Sequence, residues 1–273
     1  MRIVISDPSK VNKFATVFRH LKDLVPDVNL ELYGTYMYMQ GMGSSHASLV
    51  ELQLHKDWFE VYDVDQTEGH PEILGIHCEI LFRTISCLEE GQKITMCMKP
   101  GDDRLAIDFT GSTEGKRSIK KSFKMPLINI ETESVLVPEK EYEADIAIAP
   151  GQFSQLINQL SIFGEDLRIN CNMETIDLIS KGDHGKMTAS IEDEDIVEYA
   201  IEEDTEVNLY CSLRQIQHMC SYAKISDILF INVSRGSPLK VLYPLDGGEN
   251  PDADSGIEGR SFLRFFLAPK IEQ

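Results

Sequence analysis

A histidine stands among serines in the segment GMGSSHASLV (Gly41–Val50), and these are residue types from which nucleophilic hydrolases are built. A serine nucleophile needs a base within hydrogen-bond reach. Neighbouring residues of a strand point to opposite faces, so Ser45 and His46 can meet only if the chain turns sharply between them. A convergent acid is also required, and we find neither the acid nor a placed nucleophile. A hydrolase built around His46 therefore ranks last among the functions considered.

The other groups that could hold a metal or catalyse a reaction lack the spacing that such sites need. The acidic runs Glu192–Asp195 and Glu202–Asp204 have no glycine-punctuated calcium loop, and alternation along strands would point their carboxylates apart. No phosphate-binding Gly-Lys-Ser/Thr loop occurs. No two cysteines have the two-residue gap of a zinc or redox motif, so we expect reduced, mostly buried thiols at Cys78, Cys87, Cys97, Cys171, Cys211 and Cys220. We predict a non-enzymatic protein without metal or other cofactor.

The charge of the chain limits its partners. The 273 residues include 26 Lys and Arg against 45 Asp and Glu, and the net charge of -19 argues by itself against binding nucleic acid. An average charge hides local clusters, however, because salt screens charges over about 8 Å and opposite faces act independently. No apolar run reaches the ~18 residues of a membrane-spanning helix, and Met1–Ser6 becomes polar too soon for a signal peptide. We expect no membrane association.

Basic residues near the start of the chain gather on one predicted helix. From Ser9 to Leu24, at about 100° per residue, apolar residues share one side and polar or basic residues share the other. The apolar side consists of Val11, Phe14, Ala15, Val17, Phe18 and Leu21. The opposite side consists of Asn12, Lys13, Thr16, Arg19 and His20. One face should pack in a core and the other should be cationic, although a solvated helix surface alone would give the same pattern.

The order strand, proline-containing turn, amphipathic helix occurs twice. Arg2–Ser6 reads as a strand that leads through Pro8 into the first helix. Ala144–Ala149 reads as a strand that leads through Pro150 into a helix over residues 152–163. The same arrangement in both halves indicates an internal duplication.

A further helix in each half supports this duplication. Helices around 76–87 and around 213–222 each precede three strand-like runs. The sequence therefore predicts an α+β protein of two topologically similar domains, over residues 1–124 and 143–273, each with two helices and antiparallel sheets. Residues 125–142 form the interdomain connecting loop, which is too apolar for a flexible spacer and should lie against the body.

Three segments of the chain resemble the eukaryotic sliding clamp, the proliferating cell nuclear antigen (PCNA) family. They are Gly43–Val50 (GSSHASLV), the end of the connecting loop with Val137–Glu139 and Glu141-Tyr142, and the C-terminal Leu267–Glu272 (LAPKIE). The resemblance runs nearly end to end, and the remainder diverges as in a fast-evolving or virus-encoded relative. It implies the DNA clamp fold and a head-to-tail homotrimeric ring around duplex DNA, with helices lining the hole and strands forming the outer wall.

The resemblance also implies a pocket for partner peptides that carry a PIP box, a motif that inserts one helical turn with apolar anchors. The matching pocket residues are Met42, His46, Ala47, Val135, Val137, Pro238, Phe266 and Ala268. In this interpretation His46 hydrogen-bonds a partner's backbone and moves no proton. Without the resemblance, core packing is the better explanation of Met42, Val135 and Val137. Phe266 stands where the family has tyrosine, which keeps an aromatic wall and removes a hydroxyl.

The resemblance places the helices towards DNA. The cationic residues expected to face the hole are Lys10, Lys13, Arg19, His20, Arg83, Arg214 and Lys224. The first helix of the second domain instead presents Ser154, Gln155, Asn158 and Ser161 where clamps carry arginines, and Glu79 lies in a helix that also faces DNA. Direct contacts with duplex DNA should therefore be weak and independent of sequence.

Two predicted edge strands should pair between neighbouring subunits. The run Ser118–Lys124 is basic, whereas the run Lys186–Ile191 leads into the acidic Glu192–Asp195. Pairing would hide edges that otherwise aggregate, and complementary charge would guide the register. The residues assigned to this interface are Lys120, Lys121, Phe123, Lys186, Thr188 and Ser190.

The sequence is thus interpreted as a sliding clamp that gives a DNA polymerase processivity and recruits other PIP-box replication or repair proteins. A separate clamp loader ATPase would close the ring, in the nucleus or in a viral replication compartment. A monomeric processivity factor of the same fold is the alternative, and it would need a stronger cationic face than the sequence offers. Regulation by ubiquitin is left open because Met173 stands where the family has the modified lysine. The role of the long loop over 246–261 is also left open.

Overall fold

The chain forms two compact units in a computed structural model that describes residues 1–64, 70–113, 116, 117, 119–131, 135–137, 140–183, 185–247 and 259–271. The first unit consists of Met1–Gly41, Glu51–Ser134 and Asp254–Phe262, and the second consists of Met42–Val50, Val135–Ala253 and Leu263–Gln273. Of the residues named above, Ser118, Pro138, Glu139, Glu272 and residues 248–258 lie outside the described residues.

The first half of the chain alternates strands with two helices. In chain order the elements are β1 (Arg2–Ile5), α1 (Pro8–Leu21), β2 (Asp27–Leu32), β3 (Tyr36–Met42), β4 (Ser48–His55), β5 (Val61–Asp63), β6 (Glu72–His77), α2 (Cys78–Ile85), β7 (Lys93–Cys97), β8 (Arg104–Thr110), β9 (Ser112–Thr113), β10 (Lys116–Arg117) and β11 (Lys121–Pro126). A 3-10 turn over Lys56–Trp58 follows β4.

The second half repeats this order. Its elements are β12 (Ala144–Ile148), α3 (Pro150–Leu160), β13 (Asp166–Cys171), β14 (Thr175–Gly182), β15 (Gly185–Glu192), β16 (Glu198–Ile201), β17 (Val207–Ser212), α4 (Leu213–Cys220), β18 (Leu229–Val233), β19 (Leu239–Pro244) and β20 (Phe262–Leu267). A 3-10 turn over Asp193–Asp195 follows β15.

Helix α1 begins at the signals that the sequence provides. The Asp7 carboxylate accepts a hydrogen bond from the Lys10 backbone N–H (2.9 Å), and Pro8 occupies the first turn, where its missing N–H leaves no bond unmade. The Phe14 and Phe18 rings lie 4.6 Å apart on the buried side. The buried residues of the helix are Val11, Phe14, Ala15, Val17, Phe18 and Leu21, which confirms the predicted apolar side.

Strand order shows which edges are open. In the first unit one sheet has the order β11-β8-β7-β1-β5, and in the second unit another has the order β15-β14-β13-β17. The pairs β8–β11 and β14–β15 are antiparallel. Helix α1 packs against α2, and α3 packs against α4. The α+β prediction of two similar domains with two helices each is confirmed, and β11 and β15 each lie at the edge of a sheet.

Two helices begin at residues other than those predicted. Helix α2 starts at Cys78, because Ile76 lies in β6 and pairs there with Val28. Helix α3 starts at Pro150, since a proline fits the first helical turn, and it ends at Leu160.

Two strand predictions also need correction. Strand β11 starts at Lys121, opposite Phe109, so Lys120 precedes the strand. Of the acidic run, only Glu192 belongs to β15, and Asp193–Asp195 are not part of a strand. These residues form a 3-10 turn in which the Glu192 N–H donates to the Asp195 carboxylate (3.3 Å), because short acidic side chains readily cap a turn.

Among the described residues, no helix is long and apolar enough to cross a membrane, and no three His, Cys, Asp or Glu side chains are grouped to hold a metal ion. All six cysteines are free: Cys87 is exposed, Cys97 is half-buried, and the buried ones are Cys78, Cys171, Cys211 and Cys220. Burial raises the pKa of these four thiols to about 12, so they are poor nucleophiles.

Candidate partner-binding and DNA-facing surfaces

The Gly-Ser-Ser-His segment forms a tight turn between β3 and β4. The Gly43 N–H donates to the Ser48 carbonyl (2.7 Å), and the His46 N–H donates to the Gly43 carbonyl (2.8 Å). A Cβ atom at Gly43 would meet the Ser48 hydroxyl at 2.5 Å, so any larger residue there would have to displace this hydroxyl. His46 has a φ of 53° and an exposed side chain. The turn therefore presents the imidazole outward to solvent.

All eight residues assigned to the peptide pocket lie in the second unit, although they come from distant parts of the sequence. The segment Met42–Val50 belongs to this unit, and it meets the C-terminal segment there. The Ala268 N–H donates to the Ala47 carbonyl (2.8 Å). Two residues further on, the Lys270 N–H donates to the Tyr210 carbonyl (2.7 Å). The C-terminal segment is thus fixed by backbone hydrogen bonds on both sides of Pro269.

Apolar side chains of this group reach the solvent. Met42 is 37% exposed and Val135 is 42% exposed, and Leu136 between two predicted pocket residues is 94% exposed. Pro238 and Ala268 are exposed as well. Core packing therefore does not explain Met42 and Val135.

Phe266, the aromatic residue of the predicted pocket, is nearly buried. Phe266 is only 7% exposed, and the Arg264 guanidinium lies 5.1 Å from the centre of its ring. Ala47 and Val137 are half-buried. Phe266 can therefore support the pocket from below but offers little surface of its own.

The end of the connecting loop is held beside Pro238. The Lys140 ammonium hydrogen-bonds with the Ser237 hydroxyl, directly before Pro238 in the sequence. The Tyr142 ring has two ammonium groups near it, Lys140 at 6.0 Å and Lys240 at 5.1 Å from its centre. These contacts fix the chain just after Val137 and so limit where the exposed loop residues can lie.

An ion pair between Glu143 and Arg235 secures the same end of the loop, and no sequence pattern predicts it. The Glu143 carboxylate accepts hydrogen bonds from the Arg235 side chain (2.6 and 2.9 Å), from the Arg235 backbone N–H (2.6 Å) and from the Ser234 hydroxyl (3.0 Å). Glu143 is 16% exposed. The Arg235 bonds lower the pKa of Glu143 from 4.5 to about 2. Residues 92 positions apart show no local pattern, so only the folded chain reveals this pair.

The start of the connecting loop belongs to the first unit and is held by uncharged groups. The Ile128 N–H donates to the Gly75 carbonyl (3.0 Å), and the Asn29 amide donates to the Ile130 carbonyl (3.2 Å). A Cβ at Gly75 would lie 2.0 Å from the Ile128 carbonyl oxygen, so only glycine allows this approach. The described residues at both ends of the loop therefore lie against a unit and do not form a free spacer.

The cationic face of α1 is reduced in charge by burial. Arg19 is exposed and Lys13 is half-buried on the side opposite the core. Partial burial lowers the pKa of His20, so this imidazole is neutral at physiological pH and adds little attraction for phosphate. Lys13 and Arg19 are two cations of α1 on the side opposite its core.

Two other predicted DNA-facing cations have partners of their own. The Arg83 guanidinium on α2 lies 3.2 Å from the Glu79 carboxylate, an i,i+4 pair along the helix. The Lys10 ammonium donates to the Asp57 carbonyl (3.3 Å) and lies 5.7 Å from the centre of the Trp58 ring. Both contacts compete with phosphate for these cations.

Helix α3 of the second unit carries amides in place of charges, whereas α4 carries Arg214. Helix α3 contains no charged residue, and Gln155 and Asn158 are exposed on it. The Gln217 amide of α4 donates to the Asn158 side chain (3.3 Å) and to the Ser161 hydroxyl (3.0 Å). The predicted cations of this unit, Arg214 and Lys224, are both exposed.

The candidate interface residues lie at or beside the two open sheet edges. The Lys121 ammonium is 2.6 Å from the Glu89 carboxylate, and the Lys120 ammonium is 3.1 Å from the Asp108 carboxylate, so both are engaged within their own unit. Phe123 is half-buried and Lys124 is exposed. On the other edge the exposed side chains of β15 are Lys186, Thr188, Ser190 and Glu192.

A repeated domain with open sheet edges is typical of one class of protein, a scaffold whose surfaces bind other molecules. Comparison with family models gives the family. The model of the proliferating cell nuclear antigen N-terminal domain matches residues 10–134, and that of the C-terminal domain matches residues 136–250. The chain therefore belongs to the PCNA family of sliding clamps, which are non-enzymatic processivity factors in DNA replication.

Proposed function

We propose that this clamp works as a closed ring of three copies around duplex DNA. The observation that carries the proposal is that each unit has a sheet with an unpaired terminal strand. This strand is β11 in the first unit and β15 in the second. The free backbone N–H and C=O groups of such an edge strand can pair with another strand. Two different edges on one chain favour a head-to-tail contact, and such contacts close into a ring when the rotation allows.

Charge supports pairing of these edges. Lys124 on β11 is exposed, and Glu192 at the end of β15 is exposed too. Lys124→Glu should shift the protein towards monomer at low salt, measured as molar mass by light scattering after size exclusion. Adding Glu192→Lys in the same chain should restore the ring, because the charges are exchanged across each contact. Lys99→Glu, an equal charge change at an exposed residue away from β11, should leave the mass unchanged.

A mass equal to one chain in the unaltered protein at micromolar concentration would contradict the ring. It would favour the alternative, a monomeric processivity factor that binds DNA by one face. Retention of the loaded clamp on nicked circular DNA, before and after linearisation, separates the two. Loss only after cutting is expected of a threaded ring, whereas equal retention on both forms is expected of face binding. A clamp loader ATPase must be supplied to close the ring.

The second part of the proposal is recruitment of a DNA polymerase and other partners through PIP-box peptides. The exposed apolar residues around Met42, Val135 and Pro238 support it, together with the outward imidazole of His46. Ala268→Arg should weaken a PIP-box peptide by at least ~1 kcal/mol, the scale of a lost anchor contact, measured by calorimetry. Ala200→Arg, at another exposed alanine of the same unit, is the matched control.

Phe266→Ala would test the aromatic support beneath the patch. Because Phe266 is nearly buried, its removal should also lower thermal stability, so its effect on binding is interpreted only beside that of Ala268→Arg. Unchanged affinity in both variants would place the partner site elsewhere. Such a protein would act in the nucleus, or in the replication compartment of a virus.

A further inference from the structure

A wide groove lies on the exposed face of the β15-β14-β13-β17 sheet, and one of its lining residues, Lys186, is also a candidate interface residue at the β15 edge. Its volume is about 910 Å³, and its lining residues are Asp166, Arg168, Ile179, Lys181, Lys186, Tyr210, Lys270 and Ile271. Four of these eight residues are cationic and one is acidic, in a chain whose net charge is -19. A local excess of positive charge on so acidic a protein indicates a surface for an anionic partner.

Two of the cations are placed against each other. Lys181 of β14 and Lys186 of β15 are direct partners in the antiparallel register, next to the turn that joins the strands. Like charges in directly opposite positions destabilise a strand pair. Among the residues that the structure describes, neither ammonium has a carboxylate within salt-bridge distance. An external anion between the two lysines would remove this repulsion.

The third cation is held in a fixed position. The Arg168 guanidinium donates to the Asn208 side-chain oxygen through two nitrogens (3.0 and 2.8 Å), and it lies 5.5 Å from the centre of the Tyr210 ring. Arg168 and Tyr210 are also direct partners in the register of β13 and β17. The guanidinium thus occupies one side of the ring, where a nucleic-acid base would otherwise stack.

The fourth cation is already neutralised. Lys270 forms an ion pair with Asp166, and it belongs to the C-terminal segment that follows Ala268 of the candidate pocket. Ile271, the next residue, is 92% exposed, and Ile179 is half-buried. Within the part of the chain that the structure describes, the groove therefore combines three cations that form no ion pair, Arg168, Lys181 and Lys186, with aliphatic surface, and one short chain segment connects it to the candidate pocket.

We propose that this groove binds an acidic peptide segment of a partner protein, with carboxylates at Lys181 and Lys186 and an aliphatic side chain against Ile179 and Ile271. A peptide fits better than single-stranded nucleic acid, because Arg168 covers the aromatic ring and because aliphatic residues replace stacking platforms. The inference rests on the proposed partner recruitment, since the bound segment would be a second contact made by a protein anchored in the pocket. Two linked contacts raise the overall affinity of the partner even though the affinity of each separate contact stays the same.

The test uses the full chain and a labelled peptide of sequence EEIEDIEE, followed by fluorescence anisotropy at low salt. The unaltered protein should bind this peptide, and Lys181→Gln with Lys186→Gln should weaken it about tenfold. Lys93→Gln with Lys99→Gln removes the same charge from exposed positions of the first unit and should leave binding unchanged. Binding should also weaken steeply with salt.

Two further measurements distinguish the possible failures. A twelve-nucleotide oligothymidine that binds more tightly than the peptide, and is lost in the same double variant, would overturn the assignment in favour of nucleic acid. No binding of either probe would overturn it as well. A PIP-box peptide measured in parallel separates the two proposals: if it binds and EEIEDIEE does not, only the groove assignment fails, whereas loss of PIP-box binding in the unaltered protein contradicts the proposed recruitment.

Discussion

The helix pair of the first unit and that of the second occupy corresponding places in a repeated domain, yet their exposed faces differ in chemistry. Helix α1 carries Lys13 and Arg19, whereas α3 carries Gln155 and Asn158 at its exposed positions. The buried faces of both helices are apolar. The fold thus fixes the core side of each helix and leaves the outer side free to vary. We infer that attraction for DNA is concentrated in the first unit.

The largest expected effect is on that attraction. Lys13→Glu with Arg19→Glu should lower affinity for short duplex DNA at low salt by tenfold or more, and should reduce the slope of log affinity against log salt by about two per subunit. Fluorescence anisotropy over a salt series gives both values. Gln155→Glu with Asn158→Glu makes a smaller charge change on α3. If it weakens binding as strongly, the two helix pairs contribute equally and the comparison is wrong.

The converse substitution adds positive charge to α3. Gln155→Lys with Asn158→Lys gives α3 the charge that α1 has, so affinity for the same duplex should rise several-fold and the salt slope should steepen by up to about two per subunit. The Asn158 change also breaks its bond with Gln217, so Gln155→Lys alone serves as the control for helix packing. An unchanged salt slope would show that α3 does not face DNA.

The two ends of the connecting loop differ in a similar way. In the first unit the loop is held by backbone and amide groups, and in the second it is held by the Glu143 carboxylate. The pKa of Glu143 is lowered on folding, so its contribution to stability is complete above pH 4.5 and is lost as the pH falls towards 2. Only the second end is therefore expected to loosen in acid.

Glu143→Gln tests this difference. The melting temperature should fall relative to the unaltered protein at pH 6, and the gap between the two should close as the pH is lowered from 4.5 towards 2. Differential scanning fluorimetry across this range is sufficient. Glu141→Gln, at an exposed residue of the same loop, should follow the unaltered protein throughout. A difference in melting temperature that stays constant with pH would mean that the Glu143 carboxylate does not titrate in this range.

The smallest expected effect concerns the β14–β15 hairpin. Lys186→Glu places opposite charges across from each other, so it should stabilise the protein by up to ~1 kcal/mol, a rise of about 2–4 °C in melting temperature. Lys93→Glu on β7, where the partner is the uncharged Thr110, should give no such gain. A stabilised variant that no longer binds the acidic peptide would show that the lysine pair is kept for binding at a cost in stability.

Local features of the sequence were sufficient for the four helices, for several of the strands and for the family. Asp7 and Pro8 give the start of α1, and its apolar period gives the buried face, because capping and helical periodicity involve residues within a few positions of each other. The same reasoning found the second copy of the domain. It placed the start of α2 two residues early, since an apolar run such as the one around Ile76 suits a buried strand as well as a helix.

Only the tertiary structure decided which distant segments share a site. It brought Met42–Val50 into the second unit beside Ala268, joined Glu143 to Arg235, and set Lys181 opposite Lys186 in one face with Arg168. Strand alternation tells which side chains share a face of one strand, but it does not say which strand lies alongside or in what register. The helices and several strands of this protein could therefore be derived from the sequence, whereas the Glu143–Arg235 ion pair and the cationic groove depend on pairings between strands.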